Sequence, residues 1–170
     1  SVDLCEVVRE TGAACREQLG YRGPFERTNE YALDILKEYF PKKRIIDFDL
    51  KKNDTEPYKG VLHLDCTFNP VGTDKCIVYK NGFVEESDYH LLLDIFGSDN
   101  CFEVTDEEMF EMVPNVFSIA PDVVVSDKNF SRLNEFLRDE WEFTVEEVPY
   151  RQISKMGGLF RCSTMPLVRE

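Results

Sequence analysis

The 170-residue chain is 42% hydrophobic and 31% charged, enough apolar material for one globular domain with a real core and too much for a disordered segment. A formal charge of -13 repels phosphate backbones and argues against nucleic acid as a partner, while it attracts a small cation at long range. No run approaches the roughly 20 apolar residues that span a bilayer and no signal-like core opens the chain, so no membrane association and a cytoplasmic location are expected.

Six cysteines (Cys5, Cys15, Cys66, Cys76, Cys101 and Cys162) show no CxxC spacing and no clustering with histidine. That pattern argues against a zinc site and against a dense disulfide framework, and reduced thiols are expected.

In chain order, Ser1 to Gly20 reads weakly as helix. The stretch RTNEYALDILKEYFP predicts a helix with Thr28 or Asn29 as N-cap, with Ala32, Ile35, Leu36 and Tyr39 on one face and Pro41 as its stop. RIIDFDL alternates Ile46, Phe48 and Leu50 against Asp47 and Asp49, as a half-buried strand does. GVLHLDCTF has the same period and predicts a strand with Leu62, Leu64, Cys66 and Phe68 on a core face and His63, Asp65 and Thr67 on the other.

KCIVY predicts a second strand, SDYHLLLDIF a helix and CFEV a third strand, after which Thr105 and Glu108 fit a capping box for a short helix. The order then recurs. NVFSIA and DVVVS bracket a Pro-Asp turn, NFSRLNEFLRDEW places Phe130, Leu133 and Leu137 on one helix face, and EFTVEEV returns as a strand. The two strand-strand-helix-strand units start near Val61 and Val116, about 55 residues apart, a spacing typical of a supersecondary repeat. The helix and strand before them read as the back half of another unit, and LFRC after them as the first strand of a further one. The chain therefore reads as part of a longer cyclic array.

Three residue types suggest chemistry. His63 and Asp65 are placed within reach of a common ligand, and MGGLFRCSTMPL sets a Gly-Gly pair, Gly157 and Gly158, before Cys162. Two glycines permit a positive φ or a close backbone approach. Taken singly, His63 reads equally as a satisfied buried histidine and Cys162 as an inert structural thiol. Taken together, a thiolate nucleophile, an acid/base imidazole and a carboxylate shaped to grip a forked guanidinium suit an amidine substrate.

These residues resemble the guanidino-modifying enzymes, the superfamily of arginine deiminase, dimethylarginine dimethylaminohydrolase and glycine amidinotransferase. The resemblance runs through ERTN (Glu26 to Asn29), HLDCTFN (His63 to Asn69), NVFSIAPDVVVS (Asn115 to Ser126) and GGLFRCSTMPL (Gly157 to Leu167). It implies an α/β fold, the pseudo-fivefold α/β propeller (pentein) of repeated strand-strand-helix-strand units, here only part of the ring. It also implies one amidinotransferase/deiminase-like domain over 1–170 that lacks its N-terminal units.

By the same resemblance Cys162 is the nucleophile, His63 the general acid/base and Asp65 the guanidinium-binding carboxylate. Arg27 matches the arginine that meets a substrate carboxylate, though a salt bridge near a helix N-terminus explains it as well. Asn115 is placed on a strand facing the ring centre, where a core hydrogen bond is the plainer alternative, and Gly157 and Gly158 bring backbone close to the substrate. The acidic Glu-Gly-Gly-Asp segment that precedes ERTN in relatives has no match here.

The implied activity is hydrolysis of a guanidino C–N bond through a cysteine thiouronium intermediate, with no cofactor and no metal. The implied partner is a small cationic guanidino compound, and a homo-oligomer is compatible with the reading. Amidino transfer, a non-catalytic propeller-fold binding protein and an inactive fragment remain the alternatives.

Overall fold

A computed structural model describes residues 7–10, 30–53, 55–56, 59–61, 63–155 and 157–164, with the backbone alone for 7–10 and 30–32. The expected N-caps Thr28 and Asn29, the apolar position Leu62 and the site residue Arg27 lie outside the described residues.

Two complete units carry the fold. In the first, β3 (Phe68–Val71) pairs antiparallel with β4 (Lys75–Val78), helix α2 (Glu86–Phe96) crosses over, and β5 (Cys101–Glu103) returns parallel to β4. In the second, β6 (Phe117–Ala120) pairs antiparallel with β7 (Val123–Asp127), α4 (Ser131–Asp139) crosses over, and β8 (Thr144–Val148) returns parallel to β7. Each is a three-stranded sheet of strand-strand-helix-strand order, as the repeat predicts. Ahead of them β1 (Val7–Glu10) pairs parallel with β2 (Ile45–Phe48) around α1 (Glu30–Tyr39), the same strand-helix-strand half unit. Within the Ser1 to Gly20 stretch expected as helix, Val7–Glu10 is a strand, and the rest of that stretch lies outside the described residues.

Alternation explains β2 directly: Ile46, Phe48 and Leu50 are buried while Asp47 and Asp49 face out. The expected capping box forms at the start of α3 (Asp106–Phe110), where Thr105 accepts from the Glu108 amide and Glu108 accepts from the Thr105 amide. It satisfies amides that a helix start otherwise leaves without partners. On α4, Leu133 and Leu137 are fully buried and Phe130 joins them in the core, the stripe the spacing implies.

Of the expected face of α1, Leu36 is half-buried whereas Ile35 is 36% and Tyr39 75% exposed.

The units are stitched by a few specific contacts. The Arg132 guanidinium lies 4.2 Å from the centre of the Phe102 ring, pairs with both Glu108 carboxylate oxygens and donates to the Glu103 carbonyl. Phe136 packs between Phe102 and Trp141 with ring centres 4.9 and 5.0 Å away. Gly72, at φ 62, brings its amide to the Ser118 hydroxyl at 3.1 Å. A Cβ there would fall 2.6 Å from the Pro121 carbonyl.

Candidate active site

The HLDCTFN segment is where sequence and structure differ most. It is not one strand: His63 is extended, a single 3-10 turn covers Leu64–Cys66, and β3 begins only at Phe68. The turn closes through the Cys66 amide on the His63 carbonyl (3.1 Å) and the Thr67 amide on the Leu64 carbonyl (2.8 Å). Thr67, expected beside His63 and Asp65 on the chemical face, is fully buried. Its amide neighbours a turn rather than a ladder, so a period of two does not govern which way it points.

His63 and Asp65 nonetheless face each other, with Nδ1 3.6 Å from Oδ1 and both side chains half-buried. The Cys66 thiol lies 3.8 Å from the same oxygen. The other carboxylate oxygen accepts from the Cys162 thiol at 3.6 Å, across 97 residues of sequence. Burial pushes the Asp65 carboxyl up, but His63 beside it and hydrogen bonds from Cys162 and Asn115 outweigh that and hold it below the ordinary value of 3.8.

Cys162 stands on α5 (Phe160–Ser163), not on the strand that LFRC suggests. The segment buries consecutive residues, Leu159 and Phe160, and exposes the next two, a pattern that a strand's alternation excludes. Tyr150 stacks on Phe160 with ring centres 4.7 Å apart and donates to the Ser163 hydroxyl. Anchored so, the short helix holds the Cys162 thiol exposed toward Asp65. Gly157 has φ 83, the left-handed region glycine tolerates. At Gly158 a Cβ would lie 2.8 Å from the Cys162 Cβ, so its close approach is to the cysteine itself.

Asn115 precedes β6 and is not on it. It is fully buried, donates to the Cys162 sulfur at 3.4 Å and accepts from the Arg161 amide at 3.0 Å. Asn69, also buried, donates from Nδ2 to the carbonyls of Pro114 and Val116, the residues on either side of Asn115, at 2.6 and 2.8 Å. Asn69 was legible only as part of a motif. A polar residue among Cys66, Phe68 and Val71 must find partners, but the sequence does not say which.

The geometry therefore gathers His63, Asp65, Asn115 and Cys162, with Gly158 behind the cysteine, at the ends of segments that enter separate units. The nearest donor atoms of His63, Asp65 and Cys162 lie within 4.8 Å of one another, a separation at which they could also share a metal ion. Chemically, the cluster offers an accessible sulfur nucleophile, an imidazole that can pass protons and a carboxylate with two acceptor oxygens.

Successive strand-strand-helix-strand units of this kind are the pentein arrangement of the guanidino-modifying superfamily. Residues 16–169 match the family of eukaryotic N,N dimethylarginine dimethylhydrolase, and the chain belongs to that family. It is similar to the uncharacterized protein YkgA of Bacillus subtilis (strain 168), with 29% identity over 153 residues that make up 90% of this chain and 49% of YkgA.

Among solved structures, the product-bound N-terminal domain of ArgZ, an arginine dihydrolase from the ornithine-ammonia cycle in cyanobacteria, superposes with a TM-score of 0.71. That match has 17% identity and covers 92% of this chain and 49% of that one. SxtG, an amidinotransferase of Microseira wollei from the saxitoxin pathway, gives 0.63 at 18% identity, covering 84% of this chain and 42% of SxtG. At these identities the likeness shows the fold, and the chain spans about half the length of the relatives it matches. Among the described residues, no helix is long and apolar enough to cross a membrane.

Proposed function

We propose that the protein is a cysteine-dependent hydrolase of the C–N bond in a guanidino compound. The observation that carries this reading is the meeting of Cys162 with Asp65, 97 residues away in sequence, and of Asp65 with His63. Asp65 stays ionised and pairs with N–H groups of the guanidinium, which places the amidino carbon beside the Cys162 sulfur. The thiolate forms an S–C bond, the C–N bond to the departing amine breaks with its electron pair, and His63 protonates that amine. His63 then takes a proton from water, the hydroxide adds to the same carbon, and the thiolate leaves a ureido product.

His63 acts through Nε2 in this scheme, because Nδ1 is turned to Asp65. Arg27 would meet a carboxylate on the substrate, and Gly157 and Gly158 shape the approach to Cys162. The gripped guanidinium is electrophile enough without a metal, so activity should survive exhaustive chelation. The reaction is placed in the cytoplasm, on a small cationic substrate.

The resemblance to an amidinotransferase fold supports a second reading in which an amine, not water, accepts the amidino group in the second step. The test is to incubate the intact protein with arginine, methylated arginines or agmatine and to quench in acid. Ureido product together with a mass adduct on the Cys162 peptide is expected, and both should vanish in Cys162→Ser. An amidino group appearing on an added amine would replace hydrolysis with transfer. The absence of both product and adduct with every one of these compounds would overturn the enzymatic reading.

A further inference from the structure

We infer that Asn115 is a positioning residue for the Cys162 nucleophile, its side-chain amide being a clamp that fixes the sulfur and the backbone beside it and is itself fixed by Asn69. The inference rests on Cys162 being the nucleophile of the proposed reaction.

Both polar atoms of the side-chain amide are engaged inside the protein. Its Nδ2 donates to the Cys162 sulfur at 3.4 Å. Its oxygen accepts from the Arg161 amide at 3.0 Å. Gripping the backbone of residue 161 and the side chain of residue 162 together fixes both the placement of the short helix and the rotamer of the cysteine. With no accessible surface, the amide has little left to offer a substrate.

Its own position is set from the first unit. Asn69 reaches across with its two N–H groups to the carbonyls before and after Asn115 and locks the backbone on both sides. Both Asn69 N–H donors are met in this arrangement, and a displaced amide would leave those buried donors unmet.

The chemical consequence is specific. The Asp65 carboxylate accepts from the thiol at 3.6 Å, and the Asn115 N–H at 3.4 Å is the protein donor aimed at the sulfur that attacks.

Asn115→Asp keeps the shape and replaces the donor with an acceptor oxygen. Asn115→Ser shortens the side chain so that it no longer reaches the sulfur. Two measurements apply to each: the rate of iodoacetamide alkylation of Cys162 at neutral pH, followed on the Cys162 peptide by mass spectrometry, and kcat and KM on whichever guanidino compound the wild type turns over. With melting within a few degrees of wild type, alkylation and kcat should each fall about tenfold or more while KM stays within about twofold, the signature of a lost interaction with the reacting group.

Alkylation and kcat within about twofold of wild type in a folded variant would overturn the inference. So would a raised KM at unchanged kcat, which marks a substrate contact. If the Asp variant does not fold, the Ser variant decides. A wild type that turns over nothing sinks the hydrolase reading, and alkylation still decides the role of Asn115.

Discussion

Replacing Asp65 with asparagine isolates the charge on which the proposed guanidinium recognition depends. Asp65→Asn preserves size and the 3-10 turn that holds the side chain but changes what faces each neighbour. One oxygen now faces the Cys162 thiol at 3.6 Å and the other looks to the His63 nitrogen at 3.6 Å, and one of the two becomes an N–H donor confronting a donor. A charge-assisted hydrogen bond is worth about 1.5–3 kcal/mol and a mispaired buried donor costs about 1–3 kcal/mol. Together with the lost guanidinium pairing, transition-state binding should weaken by about 3 kcal/mol or more, roughly a hundredfold in kcat/KM. The assay is ureido-product formation by variant and wild type at matched concentration, with circular dichroism to establish that both are folded. Turnover by Asp65→Asn at the wild-type rate would refute the assignment of Asp65 to the guanidinium, whatever the fold.

The pH dependence follows from the same carboxyl. Its value is lowered, so the charged form and the affinity that depends on it persist through the ordinary carboxylate range and are lost only as pH falls through the lowered value. Calorimetric binding of arginine to Cys162→Ser should therefore hold steady from about pH 7 to about pH 5, and a fall in that window would contradict the account. Gly158→Ala pushes a methyl to 2.8 Å from the Cys162 Cβ, whereas Gly157→Ala meets no atom within 4 Å and costs only the strain of φ 83, about 1 kcal/mol. Alkylation of Cys162 should slow in the first variant and not in the second. Leu137→Ala, at a fully buried position on α4, should lower stability by about 2–5 kcal/mol in urea titration, while the site chemistry is retained below the unfolding transition.

Local rules made much of this architecture legible. The alternation around Phe48, the capping box at Thr105 and Glu108 and the Leu133–Leu137 stripe each depend on neighbours in sequence, and each is found. The misreadings share a cause. From His63 to Thr67 an apolar-polar alternation coincides with a turn whose closure depends on its own backbone hydrogen bonds, so residues that mimic a strand are wound instead. LFRC has strand composition, but Leu159 and Phe160 are both drawn into the core. The cysteine and the HxD pair were recognisable by residue type, whereas Asn69 and Asn115 act through partners 45 to 47 positions away, which no local pattern encodes.

That long separation has a thermodynamic corollary. Contacts closing loops of 47 and 97 residues pay their chain entropy before they return any energy, so the cluster is completed only once both units are in place. A compound that bridges Asp65 and Cys162 recognises the finished fold and has no counterpart in the unfolded chain. Its binding therefore adds to global stability, by about 2.7 kcal/mol at a hundred times its Kd. The melting temperature of Cys162→Ser, in which no turnover drains the bound state, becomes a direct ranking of candidate guanidino ligands.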